Sequence, residues 1–231
     1  MEQIVPATQF DLRHTPLRDV NAALHAPDLT GDFVVRHPAG AHNVAVGLDA
    51  PVTVTVDGHV GYYAAGMNQR ADVVIHGNAG TGVAENMMSG TVWVKGDASQ
   101  SAGATAHGGL LVIEGNAAAR CGISMKGVDI VVGGSVGHMS AFMAQAGRLV
   151  VRADAGEALG DSIYEARLYV RGDVASLGAD CIAKPTDPEH HRELGELLKA
   201  AGFDDDDTAA YTRYGSARTL YHFHADNTSA Y

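Results

Sequence analysis

Apolar and polar residues alternate along this chain in a phrase that returns every 19 residues. It begins at Thr53, Asp72, Thr91, Leu110, Asp129, Arg148 and Arg167, seven times without a slip. The phrase runs x-apolar-x-apolar-x-Gly, then a short polar residue and a small one, as in DVVIHGNAG from Asp72, TVWVKGDAS from Thr91 and RLYVRGDVA from Arg167. Its second column holds Val54, Val73, Val92, Leu111, Ile130, Leu149 and Leu168, and its fourth Val56, Ile75, Val94, Ile113, Val132, Val151 and Val170. Period-two alternation rich in β-branched residues predicts one short strand per repeat, with these side chains facing inward. A unit of this kind buries its apolar face only against its neighbours, so a fixed period predicts a solenoid. At about 4.8 Å per parallel strand, seven coils span roughly 34 Å.

The remaining columns supply turns. Column six is Gly58, Gly77, Gly96, Gly115, Gly134 and Gly172, with Ala153 as the exception, and column seven is His59, Asn78, Asp97, Asn116, Ser135, Asp154 and Asp173. Gly followed by Asn or Asp predicts a turn in which Gly takes positive φ and the Asx side chain bonds local backbone. Column eight is Ala or Val throughout, and column thirteen is Ala or Gly throughout, which lets the faces of a narrow coil approach. Coils of 19 do not fit the multiples of six of left-handed hexapeptide helices, and the Leu and Asn ladder of leucine-rich repeats is missing. The prediction is therefore all-β: a single right-handed parallel β-helix with short regular coils, the hand following the rule for parallel crossovers.

Residues 34–185 are assigned to that β-helix, with DFVVRHPAG and HNVAVGLDA as degenerate leading coils and equal coil lengths from Thr53 to Pro185. The open ends of such a stack need caps. Residues 1–33 form the first, where FDLRHTPLRDVNAALH predicts a strand and then a helix with Thr15 as N-cap, Pro16 at its first position, and Leu17, Val20 and Leu24 on one face. Residues 186–231 form the second. Pro185 and Pro188 bracket a break, PEHHRELGELLKAAGF predicts a helix ending near Gly202, Asp204 to Asp207 read as a solvated turn, and the aromatic tail SARTLYHFHADNTSAY is expected to dock on a neighbour.

Composition narrows the function. A net charge of −11 disfavours nucleic acid and anionic membranes. No run of about 18 apolar residues is present, and MEQIVPATQFDLRH lacks the charged and apolar regions of a signal peptide. Cys121 and Cys181 occupy different columns far apart in the stack, so no disulfide is expected. A cytoplasmic protein is the expectation.

Candidate chemistry is sparse. Asp154 and Asp173 share column seven in adjacent coils, about 5 Å apart, a spacing that retaining glycosidases use. Arg152 and Arg171 stand in column five of the same coils, so an exposed charge ladder is the simpler account, as for Lys95 and Glu114. His190 with His191 and His222 with His224 lack the partners of a metal site, and His107 and His138 lack a nucleophile for a triad. Two cysteines are too few for an iron–sulfur cluster. The stretch GNAGTG at Gly77 to Gly82 follows a strand but opens no helix, unlike a dinucleotide loop. No catalytic, cofactor-binding or metal-binding residue is assigned.

The glycine columns, seen as VDGHVG at Val56, IHGNAG at Ile75 and VGGSVG at Val132, resemble the GXGXG β-helix family. That domain ends the large subunit of glutamate synthase. It also forms one subunit of formylmethanofuran dehydrogenase, whose partners carry molybdenum or tungsten and zinc. The flanks FDLRHTPLRDVNAALH and SARTLYHFHADNTSAY are similar to the stand-alone subunit of N-methylglutamate synthases, or methylamine–glutamate N-methyltransferases. The resemblance implies a non-catalytic subunit of a hetero-oligomer, inactive alone. It implies as partners a class-II glutamine amidotransferase-like subunit and an FMN-dependent glutamate synthase-like subunit, the latter holding FMN and an iron–sulfur cluster. Residue 2 is Glu2 rather than the amidotransferase cysteine, so no family catalytic residue maps onto this chain. The resemblance leaves as alternatives the β-helix subunit of an ammonia-dependent glutamate synthase-like enzyme or of formylmethanofuran dehydrogenase, and a carbohydrate-active β-helix enzyme is the alternative of another class.

Overall fold

In a computed structural model, which describes residues 7–218, the repeats form the predicted parallel β-solenoid. Its spine is one sheet. Strands β1 (Thr8–Asp11), β2 (Asp32–Arg36), β3 (Thr53–Asp57), β4 (Asp72–Ile75), β5 (Thr91–Val94), β6 (Leu110–Ile113), β7 (Lys126–Val132), β8 (Ala146–Val151) and β9 (Arg167–Val170) pair in parallel, each with the next. From β3 to β9 the register repeats at the period: Val54 faces Val73, which faces Val92, and so on to Leu149 facing Leu168. Columns two and four are buried throughout, as the alternation predicts. A second ladder of single bridges links column eight from Val60 to Val174, again between equivalent residues.

The third hydrogen-bonded face was not legible in the repeat. Columns eleven, thirteen and fifteen are left-handed in every regular coil, as at Tyr63, Ala65 and Met67 (φ 58°, 52° and 55°) or Met139, Ala141 and Met143 (φ 54°, 57° and 52°). A non-Gly residue pays for αL with local strain, so something must hold it there. Alternating handedness aims successive amides in opposite directions. Tyr63 N–H donates to Thr81 O of the next coil at 2.9 Å, Ala65 N–H to Val44 O of the preceding coil at 2.9 Å, and Met67 N–H to Glu85 O of the next at 2.7 Å. The same pattern runs up the stack and satisfies backbone that no ordinary strand ladder reaches.

Column six has a different reason for its glycines than the turn expected from sequence. Gly58 alone has a left-handed φ; Gly77, Gly96, Gly115, Gly134 and Gly172 do not. Their constraint is space. A Cβ on Gly96, Gly115, Gly134 or Gly172 would overlap the side-chain oxygen of Asn78, Asp97, Asn116 or Asp154, the column-seven residue one coil earlier. The single alanine, Ala153, follows the one coil whose column-seven residue is a serine, Ser135. Columns six and seven therefore constrain each other across coils.

Both ends depart from the period. DFVVRHPAG and HNVAVGLDA form one leading coil rather than two. The first supplies β2, whose register with β3 spans 21 residues from Asp32 to Thr53, and the second supplies left-handed Asn43 and Ala45. Helix α1 (Leu17–Leu24) sends Val20 and Leu24 into the core with Leu17 packed beside them, and Asn21 bonds Asn43 O and Ala45 N. Thr15 does not cap it: Pro16 occupies the capping position and no side chain accepts there.

At the other end, equal coil length fails after β9. The bridge from Leu159 to Leu177 is one residue short of the period, and β10 (Cys181–Lys184) does not stack on β9. Instead β11 (Thr212–Ser216) returns between them and pairs antiparallel with both, covering the edge that β9 would expose. Helix α2 (Pro188–Ala200) begins where the proline break predicted it, with Asp187 and His190 forming a reciprocal capping box and Gly202 left-handed just past its end. It lies on the outer side of the sheet. There Leu194, Leu197, Leu198 and Ala201 bury column three of β6 to β9, namely Val112, Val131, Val150 and Tyr169, in a second core.

Candidate functional site

Column seven, where the paired carboxylates stand, is a hydrogen-bonded ladder. Each side chain accepts the backbone N–H of the column-seven residue one coil later: His59 Nδ1 from Asn78 (2.8 Å), Asn78 Oδ1 from Asp97 (3.0 Å) and Asp97 Oδ1 from Asn116 (2.7 Å). Asn116 Oδ1 continues to Ser135 (2.9 Å), Ser135 Oγ to Asp154 (3.2 Å) and Asp154 Oδ1 to Asp173 (2.9 Å). These oxygens bond between coils, not within their own turns as expected from the Gly-Asx pattern. Asp154, the first half of the glycosidase-like pair, is thereby committed to holding Asp173 in place.

Arg152 and Arg171 do not pair along the column either. Both reach Asp206, which the sequence placed in a solvated turn. Its carboxylate is 7% exposed, takes two bonds from Arg152 (2.6 and 2.8 Å), one from Arg171 (3.1 Å) and one from the Tyr211 hydroxyl (2.6 Å). The Arg152 hydrogen bonds hold the Asp206 pKa down at about 2, assisted by Tyr211 and against the opposing effect of burial. Burial, then the bond to Asp206, raises the Tyr211 hydroxyl. Arg152 also stacks over the Phe203 ring at 4.0 Å. This cluster ties the segment after α2 to two coils at once. The acidic composition of 204–207 concealed it, because a run of four aspartates gives no sign of which one turns inward.

Lys95 and Glu114 do pair across coils at 2.7 Å, and Trp93 Nε1 donates to the same carboxylate at 2.8 Å while Lys95 lies over the indole. Between α2 and the rim of the sheet runs a cleft of about 380 Å³. Its charged walls are matched: Arg148 holds Asp129 through two bonds of 2.6 and 2.7 Å, and Arg167 pairs with Glu193. Behind it the Tyr169 hydroxyl is buried with no hydrogen-bond partner among the described residues, and burial raises its pKa.

The other flagged residues scatter. His190 is the helix-capping residue, His191 bonds Thr208 Oγ1 at 3.2 Å, and His107 and His138 are exposed in different columns. His222 and His224 lie outside the described residues, with most of the aromatic tail. Cys121 and Cys181 are free and buried, which pushes their thiols up to about 12 and 11. In GNAGTG, Gly80 packs so closely on Gly61 backbone that an added Cβ would stand 2.6 Å from it, so the stretch is coil packing. Among the described residues no three His, Cys, Asp or Glu side chains gather as a metal would require, and no helix is long and apolar enough to cross a membrane.

The fold and its ladders define the class as a parallel β-solenoid with a helical flank. No protein-family model matches the chain. A protein named GlxC from Rhizobium meliloti (strain 1021) is 61% identical over 227 residues, covering 96% of this chain and 99% of that protein. The chain belongs to the GlxC family. Whole-length identity of this kind, with the observed solenoid, fits the glutamate-synthase-like β-helix group that the glycine columns resemble.

Proposed function

We propose that this chain is the non-catalytic β-helix subunit of a glutamate-synthase-type complex in the cytoplasm, an N-methylglutamate synthase. The complex forms N-methylglutamate and ammonia from methylamine and glutamate. Its chemistry belongs to two partners, a class-II glutamine amidotransferase-like subunit and an FMN-dependent glutamate synthase-like subunit that holds FMN and an iron–sulfur cluster. The observation that supports this reading is how the polar columns are used. Asn78, Asp97, Asn116 and Asp154 hold successive coils in register, and Arg152, Arg171 and Asp206 fasten the flank. Groups so engaged build a stiff frame, the property a scaffold needs.

The test is turnover of methylamine plus glutamate by the purified chain and by the three subunits together. N-methylglutamate is expected only from the assembled set. Turnover by the chain alone would overturn the non-catalytic role, and an assembled set that uses ammonia but not methylamine would reassign the amine.

A further inference from the structure

The first two regular coils carry exposed large apolar side chains: Tyr63 and Met67 in the left-handed columns eleven and fifteen of one, Tyr62 just before them with its ring stacked on His42 at 4.5 Å, and Met88 on the next. Glu85 stands among them. The coil fixes its backbone, since Glu85 O accepts the Met67 N–H at 2.7 Å and Glu85 N–H donates to Gly82 O at 3.1 Å. A Cβ on Gly82 would lie 2.8 Å from both Glu85 Oε2 and Tyr63 Cδ1, so the carboxylate and the ring share the space that glycine leaves open.

No hydrogen bond or ion pair from a described residue engages that carboxylate, and burial alone acts on it, raising its pKa. The contrast with the rest of the molecule is sharp. Asp129, Glu193 and Asp206 are also drawn away from water, and each meets an arginine. Arg70, in the coil before, is occupied by Asp49 at 3.0 Å. A lone carboxylate beside the exposed Tyr63 ring complements a guanidinium, which combines an ion pair with stacking on that ring.

From this charge complementarity we infer that Tyr62, Tyr63, Met67, Met88 and Glu85 form the docking surface for an arginine of a partner subunit. The inference rests on the subunit reading above. It is tested by coexpressing the chain with the amidotransferase-like and flavin-type subunits and measuring its affinity for them. Glu85→Gln is expected to weaken association about 30-fold or more and to flatten its salt dependence, because an ionic contact has been lost. Glu85→Lys is expected to abolish association, Tyr63→Ala to weaken it, and Asp204→Asn, on the flank, to leave it unchanged. Circular dichroism and unchanged melting verify that each variant folds. A wild-type complex that Glu85→Lys leaves intact overturns this inference and spares the subunit reading. Failure of the wild-type subunits to associate overturns both. A homodimer of the isolated chain that Glu85→Lys dissociates assigns the surface to a second copy and overturns the partner arginine.

Discussion

Column three differs between the two halves of the sheet. On β3 to β5 it holds Thr55, Val74 and Trp93, half-buried, whereas on β6 to β9 it holds Val112, Val131, Val150 and Tyr169, fully buried under α2. The strands are the same length to within a few residues and share one register. Repetition thus sets the backbone, and departures from it decide where a second layer docks. A strand buried on both faces reads as a continuous apolar run, as LLVI, DIVV, RLVV and RLYV do. DVVI of β4 reads the same while Val74 stays half-buried, so the reach of α2 and not the strand alone decides the burial.

The largest expected effect separates these halves. Leu198→Ala is expected to destabilise the protein by about 3 kcal/mol, the usual cost of a cavity in a filled core, while Thr55→Ala changes stability by less than about 0.5 kcal/mol. Chemical denaturation measures both, and equal effects would erase the distinction.

Next comes the fastening of the flank. Asp206→Asn is expected to cost about 2 kcal/mol at neutral pH, less than orphaning a deeply buried charge because Arg152 and Arg171 keep contact with water. The sign follows from the lowered pKa. Asp206 contributes its full stability above the unfolded value near 4 and loses it as pH falls through about 2. Wild type and variant therefore converge in acid; a gap that persists there would refute the ion-pair account.

The ladder gives a smaller and more specific effect. Gly115→Ala is expected to cost about 1–2 kcal/mol through overpacking against Asp97. Adding Asp97→Ser should recover part of that loss, since Ser135 and Ala153 already coexist further along the same two columns, while the Gly96 carbonyl oxygen, 2.9 Å from the added Cβ, stays in place. Thermal unfolding of the single and double variants checks it, and additive losses would contradict cross-coil coupling. Smallest of all, Lys95→Gln is expected to change stability by no more than about 0.5 kcal/mol, as for an exposed pair.

Much of this was legible in the sequence. Period two within period 19 locates the strands, their register and the inward columns, and Pro185, Pro188 and Gly202 bound α2. Other features were hidden for physical reasons. Columns eleven to fifteen carry residues as unlike as Tyr63, Met139 and Thr105, because their αL conformations are imposed by amides of adjacent coils rather than by local preference. Asp206 was lost among its neighbours, and β11 was missed because its partners in β10, from Cys181 to Lys184, lie beyond the whole of α2 in the chain. The glycines of column six were visible, but their cause lies one coil away.

Assembly is the decisive property. Coexpression of the three subunits followed by light-scattering mass determination is predicted to give one stable complex that contains this chain and makes N-methylglutamate. A chain that elutes alone, while the other two subunits form a fully active complex without it, would contradict the scaffold role.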